Sequence, residues 1–173
     1  MSKSKVISTD DILATLCHSV TGVLSSASGN EISYSAMVQK ITRTCMRPDI
    51  GCFVLFDGGF TGLVVTNFTA QAAMEIYGDY MRNMGMPEDE IAHSHLSDDV
   101  SNVMGELMNQ IVGDFTSKVR EQLHTSITQN QPKMMAINKQ VQISVDTTMD
   151  RPQARRVTFT TSKQNIFYLE LAM

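Results

Sequence analysis

Glu106 and Asn109 stand three residues apart, with Asn102 one turn before them and Gly113 one turn after. Residues three and four apart share one face of a helix, so this spacing would present a carboxylate and a carboxamide side by side. A carboxamide both donates and accepts hydrogen bonds, whereas an ionised carboxylate only accepts them. A polar helix face on its own is most simply a solvated face, so periodicity alone does not make these residues a site.

The other chemistry-bearing residues form weaker patterns. His93 and His95 could ligate a metal from a strand, but no nearby cysteine or third ligand completes a set; they read as surface histidines. His18 and His124 are isolated. Asp57-Gly58-Gly59 lacks the following GK[ST] of a phosphate-binding loop and reads as a hairpin turn. Arg151, Arg155 and Arg156 read as a solvated strand end. Met81, Met84 and Met86 fit a core stripe at a helix end better than an adaptable binding surface.

The helix that must carry Glu106 and Asn109 begins at Ser97, with Asp98 and Asp99 in its first turn, and runs to about Thr125. Val100, Val103, Met104, Leu107, Ile111 and Phe115 make its apolar stripe, nearly opposite the polar group. Gly105 and Gly113 each cost about 1 kcal/mol relative to alanine inside a helix, which points to the close approach of another helix or a partner. A first helix is expected from a Thr9 cap to about Ala27, stopped by Gly29-Asn30. Residues 31–45 are expected as strand. Cys52–Phe56 and Gly62–Thr66 read as a hairpin. Thr69 caps a second helix that Gly85 and Pro87 end, and residues 86–96 form a polar connector. After Pro132, alternation returns: Val141, Ile143 and Val145 share one face, and 157–161 with 166–171 form a hairpin around Ser162-Lys163-Gln164-Asn165. The expected fold is α/β in the segregated α+β sense, a mostly antiparallel sheet with two longer helices packed along it, in one domain over residues 1–173.

Composition bounds the function. A chain of 173 residues with 42% hydrophobic and 18% charged residues can build one core. A net charge of -4 gives no electrostatic reason to expect nucleic acid or an anionic membrane as partner. The start Met1-Ser2-Lys3-Ser4-Lys5 has no apolar stretch, so export is not expected. Cys17, Cys45 and Cys52 form no CxxC pair and read as reduced core residues of a cytoplasmic protein.

The ordered set Glu106-Leu107-Met108-Asn109, followed after 22 intervening residues by Pro132, resembles the signature of the CheC/CheX/FliY receiver-domain phosphatases. Their pattern is Asp or Ser, three residues, Glu, two residues, Asn, 22 residues, Pro. Gly58 to Leu63 followed by a helix resembles the glycine-rich hairpin and helix that precede this motif in CheX-like proteins, and the N-terminal amphipathic helix keeps their order. The likeness spans about residues 9 to 145. A single motif copy is similar to CheX rather than CheC. The chain departs from the pattern at Asn102, where the family has Asp or Ser.

The resemblance implies hydrolysis of the phosphoaspartate of a CheY-type response-regulator receiver domain. Asn109 would position the attacking water and Glu106 would dock the receiver's lysine; Asn102, Gly113 and Pro132 would belong to the partner-binding surface. No cofactor of its own is implied, Mg²⁺ coming with the receiver, and a homodimer with strands shared or paired between subunits is expected. The second reading is a non-catalytic adaptor of chemotaxis or two-component signalling on the same fold.

Overall fold

The structure, a computed structural model, describes residues 7–145 and 153–173. Three helices follow their caps. The first, α1 (Thr9–Ser28), is capped by Ser8, whose Oγ accepts the Asp11 N–H at 3.1 Å. The cap expected at Thr9 thus falls one residue earlier, since Ser8 is the last residue with extended backbone (φ -90°, ψ 152°). Gly29 ends α1 in the left-handed region (φ 70°), donating to the Ser25 carbonyl. The second, α2 (Ala70–Asn83), is capped by Thr69, and the Asp49 carboxylate accepts the Ala70 N–H at 2.6 Å. The third, α3 (Asp98–Leu123), is capped by Ser97 through the Asp99 N–H. The connector before it holds one 3-10 turn, Glu88–Glu90.

The sheet is antiparallel throughout. Its four long strands are β4 (Ile50–Gly58), β5 (Gly62–Phe68), β9 (Ala154–Thr160) and β10 (Ile166–Ala172), in the order β9-β10-β5-β4. Short strands complete both edges. The strand expected over 31–45 breaks into β1 (Ser33–Tyr34), β2 (Gln39–Ile41) and β3 (Thr44–Met46). β1 and β2 both pair with β9, stepping away between them at the exposed Met37. On the far edge, β6 (Ile127–Gln129) and β7 (Met135–Ala136) both pair with β4. β3 leaves the main sheet to pair with β8 (Val141–Ile143).

Alternation along the strands separates two faces. Toward the helices point Ile50, Cys52, Val54 and Phe56 of β4, Val64 and Phe68 of β5, Val157 and Phe159 of β9, and Phe167, Leu169 and Leu171 of β10. One row crosses the sheet as an aromatic ladder, Phe68, Phe167, Phe159 and Tyr34, with ring centroids 4.6, 4.9 and 5.6 Å apart. α1 packs against both other helices to close this core. Burial of the thiols pushes Cys17 up to about 12 and Cys52, despite its Thr66 partner, up to about 11; all three cysteines are free and buried.

The opposite face is smaller and more polar. Met46, Leu63 and Val65 form a second cluster against Ile143 and Val145, while Val141, two residues before Ile143 at the outer end of β8, stays exposed. Beside that cluster the fully buried Glu170 accepts from Arg47, from Arg156 Nε at 2.9 Å and from the Cys45 N–H at 2.9 Å. Arg156 also lies over the Tyr168 ring at 5.7 Å, and Arg155 is 3.7 Å from Asp10. These two arginines are therefore structural cations rather than a solvated strand end; Arg151 lies outside the described residues. At the β9–β10 turn the buried Glu75 gathers Thr161 Oγ1, Ser162 Oγ, the Lys163 N–H and Asn165 Nδ2, which fixes the loop 161–165 from α2.

Candidate functional site

The polar face of α3 is held still by its apolar one. Val100, Met104, Leu107, Met108, Ile111, Val112, Phe115 and Val119 are buried, and Phe115 meets Phe56 edge-on at 5.1 Å between centroids. Such a helix is a rigid mount, because rotating it would expose the entire stripe. On the other side Asn102 and Glu106 are exposed and Asn109 is half-buried.

What faces them is the chain that returns after α3. After Asn109 the helix continues for 14 residues to Leu123, descending about 21 Å at about 1.5 Å per residue. The chain turns at His124, which takes the left-handed conformation (φ 53°), and is pinned against the β4–β5 turn. Gly58 is required there: its φ is +124°, and a Cβ would stand 2.7 Å from the Ser126 carbonyl oxygen. From Ile127 to Pro132 the chain climbs back about 17 Å at about 3.3 Å per residue, most of that distance. The 22-residue gap between Asn109 and Pro132 is thus the length of a path down the helix and back along β4.

Asn130 holds the end of that path. Between β6 and β7 the backbone pairing with β4 lapses, and the Asn130 side chain replaces it. Its Oδ1 accepts the Leu55 N–H at 2.7 Å and its Nδ2 donates to the Phe53 carbonyl at 3.4 Å. Pro132 and Met134 then turn inward and are buried, while Gln131 and Lys133 stay exposed. Between this strap and α3 lies a groove of about 570 Å³, lined on the helix side by Asp98, Ser101, Asn102, Gly105, Glu106 and Asn109 and on the strap side by Gln131, Pro132, Lys133 and Met134.

The structure therefore brings Asn102, Glu106, Asn109 and Pro132 together in one groove. Gly113 does not line it. The two glycines also differ from each other. A Cβ on Gly105 would come within 4.0 Å of Met134 Cγ across the groove, so only Gly105 faces another segment; at Gly113 there is open space. Gly113→Ala is expected to stabilise the protein by about 1 kcal/mol, read as a higher urea midpoint with unchanged slope. An unchanged or lower midpoint would contradict the open geometry.

Beyond the Ser97 cap, the side-chain hydrogen bonds of α3 among the described residues are those of Met108 with Thr66, Asp114 with Lys118, Thr116 with the Gly113 carbonyl and Gln122 with Thr15. None uses Asn102, Glu106 or Asn109, so these polar groups point at whatever enters the groove. Among the described residues no group of three His, Cys, Asp or Glu could hold a metal ion. His93 is exposed and His95 half-buried, outside the groove. Met84 is exposed, whereas Met81 and Met86 pack against the core. Sequence reasoning passed over Asn130, Gln131 and Lys133. The asparagine carries no periodic signal, and only the lapse in strand pairing gives it a role.

The fold is that of the CheX and CheC-like proteins. A CheC-like superfamily protein from Shewanella sp. PV-4 superposes with a TM-score of 0.75 at 16% identity, over 96% of this chain and 98% of that one. Chemotaxis protein CheX from Desulfovibrio desulfuricans gives 0.74 at 19% identity, over 93% and 97%. CheX in the CheX-CheY-BeF3-Mg²⁺ complex from Borrelia burgdorferi gives 0.64 at 13%, over 94% and 97%. By sequence the chain belongs to the family described as Protein of unknown function (DUF3334), whose model matches residues 3–173. No curated protein matches it by sequence. No described helix is long and apolar enough to cross a membrane.

Proposed function

We propose that this protein is a phosphatase for the phosphoaspartate of a CheY-type receiver domain. The observation that carries the reading is that Glu106 and Asn109, three apart on a clamped helix, line one groove with Asn102 and with Pro132 from a distant part of the chain. The likeness of the fold to a CheX solved together with CheY, BeF3 and Mg²⁺ supports a CheY-type partner. The resemblance also implies a homodimer.

In this reading α3 enters the receiver's phosphorylation site. The Asn109 carboxamide accepts from a water and donates to a phosphoryl oxygen, placing the water in line with phosphorus. Attack forms the new P–O bond as the bond to the aspartyl oxygen breaks. The products are the receiver's free carboxylate and inorganic phosphate as H2PO4⁻, which keeps both of the water's protons. Mg²⁺ bound by the receiver neutralises phosphoryl charge, so the phosphatase adds position rather than metal or base. Glu106 pairs with the receiver's lysine and fixes the register of the docked helix. Asn102 can hydrogen-bond at the position of the motif's Asp or Ser without adding a charge to the groove.

The test is the decay of phosphorylated CheY-type receivers from the same organism, in Mg²⁺, with and without the protein. Acceleration supports the phosphatase; none across the whole panel, with the protein folded, favours the adaptor. Glu106→Ala is expected to weaken receiver affinity about tenfold through loss of a charge-assisted contact, and Glu106→Lys by more. Wild-type affinity and turnover in both variants would remove Glu106 from the docking contact.

A further inference from the structure

We infer that Lys133, carried on the strap directly after Pro132, is the docking cation of the groove; the inference rests on the receiver-phosphatase reading. Two acidic side chains, Asp98 and Glu106, line the helix wall, and Lys133 is the sole cation among the groove's lining residues. It is exposed and, among the described residues, enters none of the ion pairs. Its neighbours Pro132 and Met134 are both buried, so its backbone is fixed on each side while its long side chain can reach across the groove mouth.

The chemistry of the partner gives that cation something to meet. A phosphoryl group carries about two negative charges. Mg²⁺ beside it is held through carboxylates as well as phosphoryl oxygens, so the face presented by the loaded partner remains net negative. The partner's lysine is already engaged by Glu106. This chain carries a net charge of -4, and with Glu106 paired, Asp98 on the helix wall is left to repel such a face. Lys133 offsets that repulsion where the two surfaces meet, and a charge at the rim of an interface acts on encounter rate and salt dependence.

The experiment measures affinity for a receiver loaded with BeF3 and Mg²⁺, at low and high salt, beside dephosphorylation kinetics. Lys133→Gln is expected to weaken binding about fivefold at low salt, with the difference fading at high salt and the kinetic loss appearing in KM. Lys133→Glu weakens it further, and Lys133→Arg retains wild-type binding. If Lys133→Gln binds as the wild type does at low salt while the wild type accelerates decay, the docking role is overturned and the phosphatase reading stands. Equal losses in Lys133→Arg and Lys133→Gln would overturn it too, since shape rather than charge would then matter. If the wild type neither binds a loaded receiver nor accelerates decay for any member of the panel, both readings fall.

Discussion

Asn109→Ala is expected to remove the acceleration of receiver dephosphorylation, a loss on the order of 100-fold or more, while the protein stays folded. The magnitude follows from what the carboxamide does. The variant still brings the surfaces together but no longer holds the water, and misplacing a reactant by about 1 Å costs about that factor. The specificity of the loss follows from the structure. Among the described residues the Asn109 side chain bonds to nothing within the protein, and alanine is the better helix former, so stability should not fall. Asn109→Asp sharpens the test by keeping the shape while replacing the donor with a negative charge facing a phosphoryl group. It should be as inactive as the alanine variant. Turnover within about threefold of wild type in Asn109→Ala would end the water-positioning role.

The second large effect lies on the other side of the sheet. Glu170→Ala is expected to destabilise the protein by about 3 kcal/mol, because a buried carboxylate that answers two cations and a backbone N–H cannot be removed without stranding them. Arg47 and Arg156 are 26% and 21% exposed, which places the loss toward the low end of that for a broken buried ion pair. For a chain of this length the melting temperature should drop by about 6–12 °C. Glu170→Gln keeps an acceptor for the Cys45 N–H and should lose less. A melting temperature within about two degrees of wild type in Glu170→Ala would show that water replaces the carboxylate at little cost.

The parts of the molecule that could be read in the sequence are those encoded locally. α1, α2 and α3 announce themselves through apolar periodicity and a hydroxyl cap, and the β4–β5 and β9–β10 hairpins through alternation and turn residues. The pairing of Glu106 with Asn109 needed only helical spacing. Pro132 could be attached to them only by resemblance, since nothing local says that residue 132 returns to residue 109. The short edge strands were out of reach for a related reason: β6 and β7 span three and two residues, too few for any period, and exist because the rim of β4 offers them partners. Asn130 belongs with them, since the β4 backbone groups that its side chain bonds are more than seventy residues away. Arg156 reads as a solvated charge at a strand end, and Glu170 gives no signal of its own, because the cover supplied by β3 and β8 comes from elsewhere in the chain.

The position of β10 governs how the protein reaches this state. It is last in chain order yet lies between β9 and β5, pairing Phe167 with Phe68 and Ala172 with Leu63, partners about a hundred residues apart. During synthesis the helices and the β4–β5 hairpin emerge first, with Val64 and Phe68 along a strand edge that has no neighbour. Closing that edge needs residues 166–172, so the sheet completes only after the ribosome has made nearly all of the described chain. Until then the nascent protein carries an unpaired apolar strand of the kind chaperones bind. Refolding of the full chain should accordingly be set by the distant pairings of β9 and β10 rather than by the helices that carry the chemistry.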